Sequence, residues 1–283
     1  MKLLRYGPKD FEKPAVLDCN NAIRDVSKVV TDITSASLTQ DVLSQLENID
    51  INTMPIVTGN PRIGQPVANV RKVICVGLNY RDHALESGMP IPSEPILFMK
   101  AATALCGPFD DVLLPDGCTK GDWEVELGVV IKKHATRISK QNAMAHVAGY
   151  CIVNDLSERA YQLEKEGQWV KGKSLDTFGP MGPYLVTPDE CPDIDERSIW
   201  LELNGNRIQN SNTRQMIFSV PEIVSYISQF MTLEPGDLIL TGTPPGVGLG
   251  LDPPAYLKPG DIMKLGIDGL GEQMQTVFDC NNL

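Results

Sequence analysis

The sequence predicts an α+β protein that is rich in β-strands, with a small N-terminal domain before a larger one. Apolar runs of strand length recur between turns that contain Gly or Pro, whereas few segments have the apolar spacing of a helix. Strands and helices do not alternate regularly, so we do not expect a βαβ series. A chain of 283 residues can form one large domain or two smaller ones.

Residues 1–66 are predicted to form the small N-terminal domain. Short apolar runs in its first part indicate brief strands, and residues 38–49 have helix-like apolar spacing. Residues 58–66 are rich in turn-forming residues, and we interpret them as a linker. The larger domain then spans residues 67–283.

The larger domain opens with a strand and a helix. Residues 72–77 are a continuous apolar run typical of a buried strand. Residues 78–88 predict a short helix, with Gly88 placed to end it. Further along, Asn204-Gly205 supplies the positive φ angles of a tight turn, which predicts a hairpin.

Two further signals lie near the end of the chain. Ser219 and Glu222 form a capping-box pattern, which predicts a helix that begins there. Residues 241–248 are rich in Gly and Pro, and they resemble a loop whose backbone amides bind a carboxylate. Alternatively, this loop is only a sharp turn between strands.

Two closely spaced glutamates are the most informative feature of the sequence. Residues 122–131 alternate with the period of a β-strand, so Glu124 and Glu126 leave the same face, roughly 6.6 Å apart along the strand. Because two close carboxylates repel each other and resist burial, a divalent cation is the simplest compensation. Alternatively, they lie on the solvated face of an edge strand.

A third acid, Asp155, follows the apolar run of residues 147–153. If the two predicted strands are neighbours, Asp155 meets the face that carries Glu124 and Glu126. Three oxygen ligands without His or Cys suit Mg²⁺, Mn²⁺ or Ca²⁺ better than zinc.

A histidine–glutamate pair and two lysines are further candidates. His83 and Glu86 are three residues apart on the predicted helix, so they share a face, and the carboxylate would raise the basicity of the imidazole. Lys100 follows an apolar run, and Lys173 lies in a Gly-containing segment where a lysine can approach an anion closely. The alternatives are a surface pair without a function and two lysines that only extend to the solvent.

The composition excludes some classes of function. The formal net charge is −11 and there is no basic stripe, so we do not expect a nucleic-acid partner. There is no apolar run long enough for a membrane span and no signal-peptide core, so we expect a cytoplasmic protein with no membrane partner. The seven dispersed cysteines indicate free thiols in a reducing compartment.

The order of these motifs resembles the fumarylacetoacetate hydrolase family. The resemblance covers roughly residues 70–270. The matching segments are Gly77–Glu86, Phe98–Lys100, Asp122–Gly128, Gly149–Arg159, Gly172–Pro180, Gln209–Thr213 and Pro235–Pro244. A departure is the Lys132-Lys133 pair after Ile131, where many relatives have Gly, but this pair lies beyond the candidate ligands.

The resemblance implies a mixed β-roll catalytic domain behind a small N-terminal domain, and a homodimer. It implies Mg²⁺ or Mn²⁺ as the cofactor, with Glu124, Glu126 and Asp155 as its ligands. It also implies that His83 and Glu86 form the dyad that activates water. The three acids would thus hold the metal, and the dyad would transfer the proton.

The remaining implied site residues surround the substrate. Lys100 and Lys173 match active-site lysines of the family. Arg159 and Gln162 match substrate-contacting positions, and Thr243 matches a loop threonine near the substrate carboxylate.

The start of the chain and the Gly266–Gln273 segment resemble the bacterial sugar-acid branch of the family. This branch contains hydrolases of 2,4-diketo-3-deoxy acids derived from rhamnonate or fuconate, and its members are often labelled ureidoglycolate lyases. We therefore expect a 2-oxo acid substrate and hydrolysis of its C3–C4 bond, which gives pyruvate plus lactate. Oxaloacetate decarboxylation and 2-oxo-enoate hydration or isomerisation are alternatives on the same site, and a non-catalytic binding protein is another.

Overall fold

The computed structural model describes residues 1–280, except for the side chain of Gln40. The last three residues of the predicted larger domain therefore lie outside the described residues. The strands are short and numerous: β1 (Lys2–Tyr6), β2 (Lys13–Leu17), β3 (Ile23–Asp25), β4 (Ile63–Gly64), β5 (Val73–Gly77), β6 (Ile96–Lys100), β7 (Leu105–Cys106), β8 (Val112–Leu114), β9 (Gly121–Asp122), β10 (Val125–Ile131), β11 (Val147–Asn154), β12 (Ser157–Glu158), β13 (Gly179–Val186), β14 (Ser198–Leu203), β15 (Asn206–Asn212), β16 (Leu238–Leu240), β17 (Ile262–Ile267) and β18 (Gly271–Asp279). The α-helices are α1 (Gln40–Asn48), α2 (Arg81–Glu86), α3 (Lys140–Ala143), α4 (Arg159–Leu163), α5 (Val170–Lys173) and α6 (Val220–Phe230).

The strands form one large mixed sheet and two smaller sheets. The large sheet has the order β3-β2-β1-β13-β11-β10-β16-β5-β6, with β4 added beside β1 and β7 beside β13. A five-stranded sheet has the order β15-β14-β17-β18-β8, and β12 pairs with β9. The predicted β-rich α+β class is confirmed.

Strands β10 and β11 are antiparallel neighbours in the middle of the large sheet. Val125 pairs with Asn154, and Glu126 pairs with Val153. Because β10 and β11 both run through the interior, every residue of each strand is buried. Asp155 comes directly after β11, so the pairing brings it to the end of β10 that carries the glutamates.

The two faces of β10 meet different parts of the hydrophobic core. Trp123, Val125 and Leu127 pack into one core cluster, whereas Val130 packs into a second cluster on the opposite face. By alternation, Glu126 shares the face of Val130. The carboxylates therefore lie at the polar end of a face that is otherwise apolar.

The N-terminal segment extends the large sheet. Strand β1 pairs with β13 through Lys2–Val186 and Leu3–Leu185. The second core cluster joins residues of this segment, such as Leu3, with residues of β10 and β11. The division into domains at residue 66 stays a prediction.

The local signals read from the sequence give the expected elements. Helix α2 covers the segment before Gly88, which has φ +62°. Asn204 and Gly205 have positive φ angles between β14 and β15, and Ser219 with Glu222 forms a capping box at the start of α6. Within residues 1–280, no helix is long and apolar enough to cross a membrane.

Candidate active site

Three buried carboxylates meet at the end of β10. Glu124, Glu126 and Asp155 each offer an oxygen, and these oxygens lie within 4.8 Å of one another. The backbone holds them there, because the amide of Asp155 donates to the carbonyl of Glu124 at 2.8 Å. The amide of Glu124 in turn donates to Asn154 Oδ1 at 3.1 Å. The predicted meeting of the three acids is thus present.

Two buried lysines contact two of these acids. Lys100 Nζ is 2.7 Å from Asp155 Oδ1. Lys173 Nζ is 2.7 Å from Glu124 Oε2 and 2.9 Å from Asp155 Oδ2, and it lies 5.1 Å from the centre of the Phe98 ring. Both lysines are therefore parts of the site and do not extend to the solvent.

The surroundings of Glu124 and Glu126 shift the pKa values of these two side chains in opposite directions. Burial alone would raise the pKa of Glu124, but the positive charges of Lys173 and Arg159 lower it to about 2. Burial raises the pKa of Glu126 well above its usual range, and the negative charges of Asp155 and Glu124 raise it further. Glu124 is therefore compensated by the protein, whereas Glu126 is not.

The lack of a positively charged partner at the buried Glu126 is the observation that supports a metal ion most strongly. Its Oε2 accepts a hydrogen bond of 2.7 Å from the amide of Gly242, and within residues 1–280 no lysine or arginine forms an ion pair with it. A divalent cation among the three carboxylates would supply the missing positive charge. The oxygen-only donor set suits Mg²⁺ or Mn²⁺, so these residues fit such a cation.

Arg159 links the acid cluster to a fourth buried carboxylate. Its Nη2 is 2.7 Å from Glu124 Oε1, and its Nε donates to Asp122 Oδ2 at 2.8 Å. Its Nη1 donates to Gln162 Oε1 at 2.9 Å. The structure thus places Arg159 and Gln162 beside the acids, with the guanidinium held by three side chains.

The Gly-rich loop of residues 241–248 binds carboxylates through its amides, and these belong to the protein itself. The amide of Gly242 donates to Glu126, and that of Gly246 donates to Glu86 Oε1 and Oε2 at 3.1 and 3.2 Å. Gly246 has φ +97°, and a Cβ there would meet the carbonyl oxygen of Ile208 at 1.9 Å. Glycine is therefore required at this position.

Thr243 belongs to the same loop, and its side chain contacts the protein. Its hydroxyl donates to the carbonyl of Val125 at 3.0 Å and accepts from Gln209 Nε2 at 2.9 Å. Gln209 Oε1 accepts from the amide of Val125 at 3.0 Å. Thr243 and Gln209 together fix the start of β10 next to the acids.

The dyad lies at the more open side of the site. His83 Nδ1 is 3.2 Å from Glu86 Oε2, and the two side chains are 14% and 28% exposed. Because Glu86 also accepts from the amide of Gly246, it is fixed on both sides. The imidazole is thus oriented by a carboxylate while it stays accessible to water.

Sequence reasoning missed the roles of Asp122 and Gln209. Both side chains are fully buried and fully hydrogen-bonded around the site. Their segments matched the family, but their partners come from distant parts of the chain. The one available signal was a polar residue beside an apolar strand.

The fold and the site define a class of enzyme. A model of the fumarylacetoacetate (FAA) hydrolase C-terminal family matches residues 72–278, so the chain belongs to the fumarylacetoacetate hydrolase family. A relative from Burkholderia ambifaria is 54% identical over 98% of both chains, and its name gives a provisional hydrolase assignment without a substrate.

Solved structures show the same fold. A fumarylacetoacetate hydrolase from Exiguobacterium antarcticum has a TM-score of 0.88 at 35% identity, over 99% of both chains. A maleylpyruvate hydrolase from Sphingobium sp. SYK-6, in complex with manganese and pyruvate, has a TM-score of 0.83 at 26% identity, over 99% of both chains. A 2-hydroxyhepta-2,4-diene-1,7-dioate isomerase from Mycobacterium marinum has a TM-score of 0.74 at 30% identity, again over 99% of both chains.

Proposed function

We propose that this protein is a metal-dependent hydrolase that cleaves the C3–C4 bond of a 2,4-diketo acid. The observation that carries the proposal is one loop that holds both halves of the site: Gly242 binds Glu126 of the acid cluster, and Gly246 binds Glu86 of the dyad. A general base is thereby fixed next to a cluster of carboxylates that fits a divalent cation. Such a pair suits hydrolysis through an enolate.

The charges of the site support an anionic 2-oxo acid as the substrate. Among the buried charged side chains, those at the site are the acids Asp122, Glu124, Glu126 and Asp155 and the bases Lys100, Arg159 and Lys173. If all are ionised, four negative and three positive charges leave a net charge of −1. Binding of Mg²⁺ or Mn²⁺ turns this into +1, which the carboxylate of one substrate molecule neutralises. The manganese and pyruvate bound to the maleylpyruvate hydrolase agree with this choice of ligands.

In the proposed reaction, His83 removes a proton from water while Glu86 holds its imidazole in place. The water oxygen forms a bond to C4, and the C3–C4 bond then breaks. Its electron pair leaves on C3 as the enolate of pyruvate, which takes up a proton at C3. A divalent cation bound by the three acids would supply positive charge next to the developing enolate oxygen.

Lys100 and Lys173 receive their proposed roles from their positions in the site. Lys173 lies against Glu124 and adds positive charge where the enolate forms, and Lys100 orients or protonates the substrate. Arg159, Gln162 and Thr243 are proposed to contact the substrate because they match substrate-contacting positions of the family, and Arg159 and Gln162 also lie beside the acid cluster.

Within this class, we propose a 2,4-diketo-3-deoxy sugar acid as the substrate, cleaved to pyruvate and lactate. The support is the resemblance of both ends of the chain to the sugar-acid branch. We also propose that the protein is a cytoplasmic homodimer. Size-exclusion chromatography with light scattering tests the oligomeric state.

The function is tested by assaying the purified protein with a panel of acylpyruvates and mass detection of the products. The protein is first stripped of metal with a chelator and then assayed with and without Mg²⁺ or Mn²⁺. We expect cleavage to pyruvate only after metal is added. Activity that survives complete metal removal would contradict the mechanism, and a panel without any cleavage would contradict the function.

A 2-oxo-enoate isomerase is the second candidate, favoured by the similarity to the Mycobacterium marinum isomerase. Isomerisation moves a proton without adding water. Oxaloacetate decarboxylation, the other alternative reaction at this site, releases carbon dioxide. An assay in isotope-labelled water separates these reactions, because only hydrolysis places a solvent oxygen in the new carboxylate. Decarboxylation is further expected to survive loss of the His83–Glu86 dyad.

A further inference from the structure

Asp122 is a fully buried carboxylate that accepts four hydrogen bonds. Oδ1 accepts from the amides of Gly248 at 2.6 Å and Trp123 at 2.8 Å. Oδ2 accepts from the amide of Leu249 at 3.0 Å and from Arg159 Nε at 2.8 Å. We propose that Asp122 is a positioning residue for the reaction proposed above, acting through Arg159 and through the loop that carries Gly248. The inference rests on the proposed function.

Asp122 acts first through its contact with Arg159. Asp122 holds its Nε edge, which directs Nη2 to Glu124 at 2.7 Å and Nη1 to Gln162 at 2.9 Å. The guanidinium is planar, so fixing one edge fixes the direction of the others. Asp122 also shares the positive charge of Arg159, which would otherwise act on Glu124 alone.

Asp122 acts secondly through its contacts with the Gly-rich loop and the residue that follows it. Two successive amides, of Gly248 and Leu249, bind Asp122, and the amide of Gly246 in the same loop binds Glu86. A Cβ at Gly248 would lie 2.0 Å from the carbonyl oxygen of Ala255 and 2.8 Å from Asp122 Oδ1. The loop is therefore packed closely on the Asp122 carboxylate. Because the same loop binds Glu86, the position of Asp122 also determines the position of the dyad.

The site requires a carboxylate and not merely a polar side chain of this size. All four partners of Asp122 are donors, and they approach both of its oxygens. In Asp122→Asn one oxygen becomes an NH₂ group, which faces donors and loses their hydrogen bonds. The lost charge also leaves Glu124 as the only carboxylate partner of Arg159 within residues 1–280, so the guanidinium competes more strongly with a metal ion.

Asp18 provides a control that is matched to Asp122 in its hydrogen-bond partners and lies far from the site residues in sequence. Its Oδ1 accepts from the amides of Asn20 and Ala22 at 2.9 Å each, and its Oδ2 accepts from Arg24 Nε at 2.7 Å. Asp18→Asn therefore removes the same kind of contact, an arginine and two amides, without touching the acids or the dyad.

The experiment compares the wild type, Asp122→Asn, Asp122→Glu and Asp18→Asn as full-length proteins. The measurements are kcat/KM for an acylpyruvate, Mn²⁺ affinity by calorimetry, and the melting temperature. We expect Asp122→Asn to lower kcat/KM and Mn²⁺ affinity by about 10- to 100-fold each. Asp18→Asn should lower only the melting temperature, and Asp122→Glu should lie between the wild type and Asp122→Asn.

The inference is overturned if Asp122→Asn changes only the melting temperature, as Asp18→Asn is expected to do. If Asp122→Asn does not fold, Asp122→Glu decides, because wild-type kcat/KM in that variant would show that the position of the carboxylate does not matter. If the wild type hydrolyses no acylpyruvate, the proposed function fails. The comparison of Mn²⁺ affinities then still decides the role of Asp122.

Discussion

Glu86 and Glu126 accept hydrogen bonds from two amides of a single loop, those of Gly246 and Gly242. Glu86 orients the imidazole of His83, and Glu126 belongs to the acid cluster. The distance between the base and the cluster is therefore set by backbone geometry. This relationship makes the loop as important to the proposed chemistry as the residues that perform it.

The first prediction contrasts Glu124 and Glu126, the two glutamates at the start of β10. Glu124 has ion pairs with Lys173 and Arg159, whereas Glu126 has none among the described residues. Glu124→Gln removes a carboxylate partner from two buried cations, Lys173 and Arg159, which keep Asp155 and Asp122 respectively. We therefore expect it to lower the free energy of unfolding of the metal-free protein by about 1–3 kcal/mol. Glu126→Gln should change it little. Chemical denaturation with a chelator present measures both, and equal losses would contradict the assignment.

The second prediction concerns the base. We expect His83→Ala to lower kcat by about 10²- to 10⁴-fold, because the general base is lost, while Mn²⁺ affinity stays close to that of the wild type. His134→Ala is the control, since His134 is an exposed histidine outside the site. Steady-state kinetics and calorimetry are the measurements. Hydrolysis at the wild-type rate in His83→Ala would remove the dyad from the mechanism.

The third prediction tests the loop. Gly246 and Gly205 both have positive φ, but a Cβ at Gly246 would meet the carbonyl oxygen of Ile208 at 1.9 Å, whereas a Cβ at Gly205 would meet nothing within 4 Å. Gly205→Ala should cost about 1 kcal/mol of backbone strain and leave kcat/KM unchanged. Gly246→Ala should displace the loop and lower kcat/KM by at least about tenfold. If both variants have wild-type activity, the loop does not position the dyad.

The fourth prediction concerns acid stability at the start of α6. Hydrogen bonds from Lys140 and then Ser219 lower the pKa of Glu222 from 4.5 to about 2. A lowered pKa stabilises the folded state above pH 4.5, and this contribution disappears as the pH falls from 4.5 towards 2. Glu222→Gln should therefore melt below the wild type at pH 7, and the two melting temperatures should converge near pH 2. A difference that does not change with pH would contradict the role of the charge.

Local sequence signals predicted the parts of the fold that depend on short stretches of chain. The alternation around Glu124 and Glu126 predicted β10, and the Asn204-Gly205 turn and the Ser219–Glu222 capping box marked their elements correctly. These features follow from backbone preferences within a few residues, so the sequence contains them directly.

The contacts between distant segments were not predictable in this way. The Gly-rich loop was expected to bind a carboxylate, but nothing in its sequence shows that the carboxylates are Glu86, Glu126 and Asp122 of the same chain. Asp122 reads as a polar residue before a strand, and its partners lie far along the chain. Register and loop packing decide these contacts, and neither has a local sequence signature.

The loop of residues 241–248 has a consequence for how this protein can diverge. An amide N–H is supplied by every residue type except proline, so the hydrogen bonds that the loop donates to Glu86 and Glu126 do not depend on which side chains lie between the glycines. The burial of Thr243 and Val247, however, limits what those side chains can be. We expect substrate preference in this family to change more readily through the partly buried Pro245 than through Thr243, whose hydroxyl is bound to Val125 and Gln209.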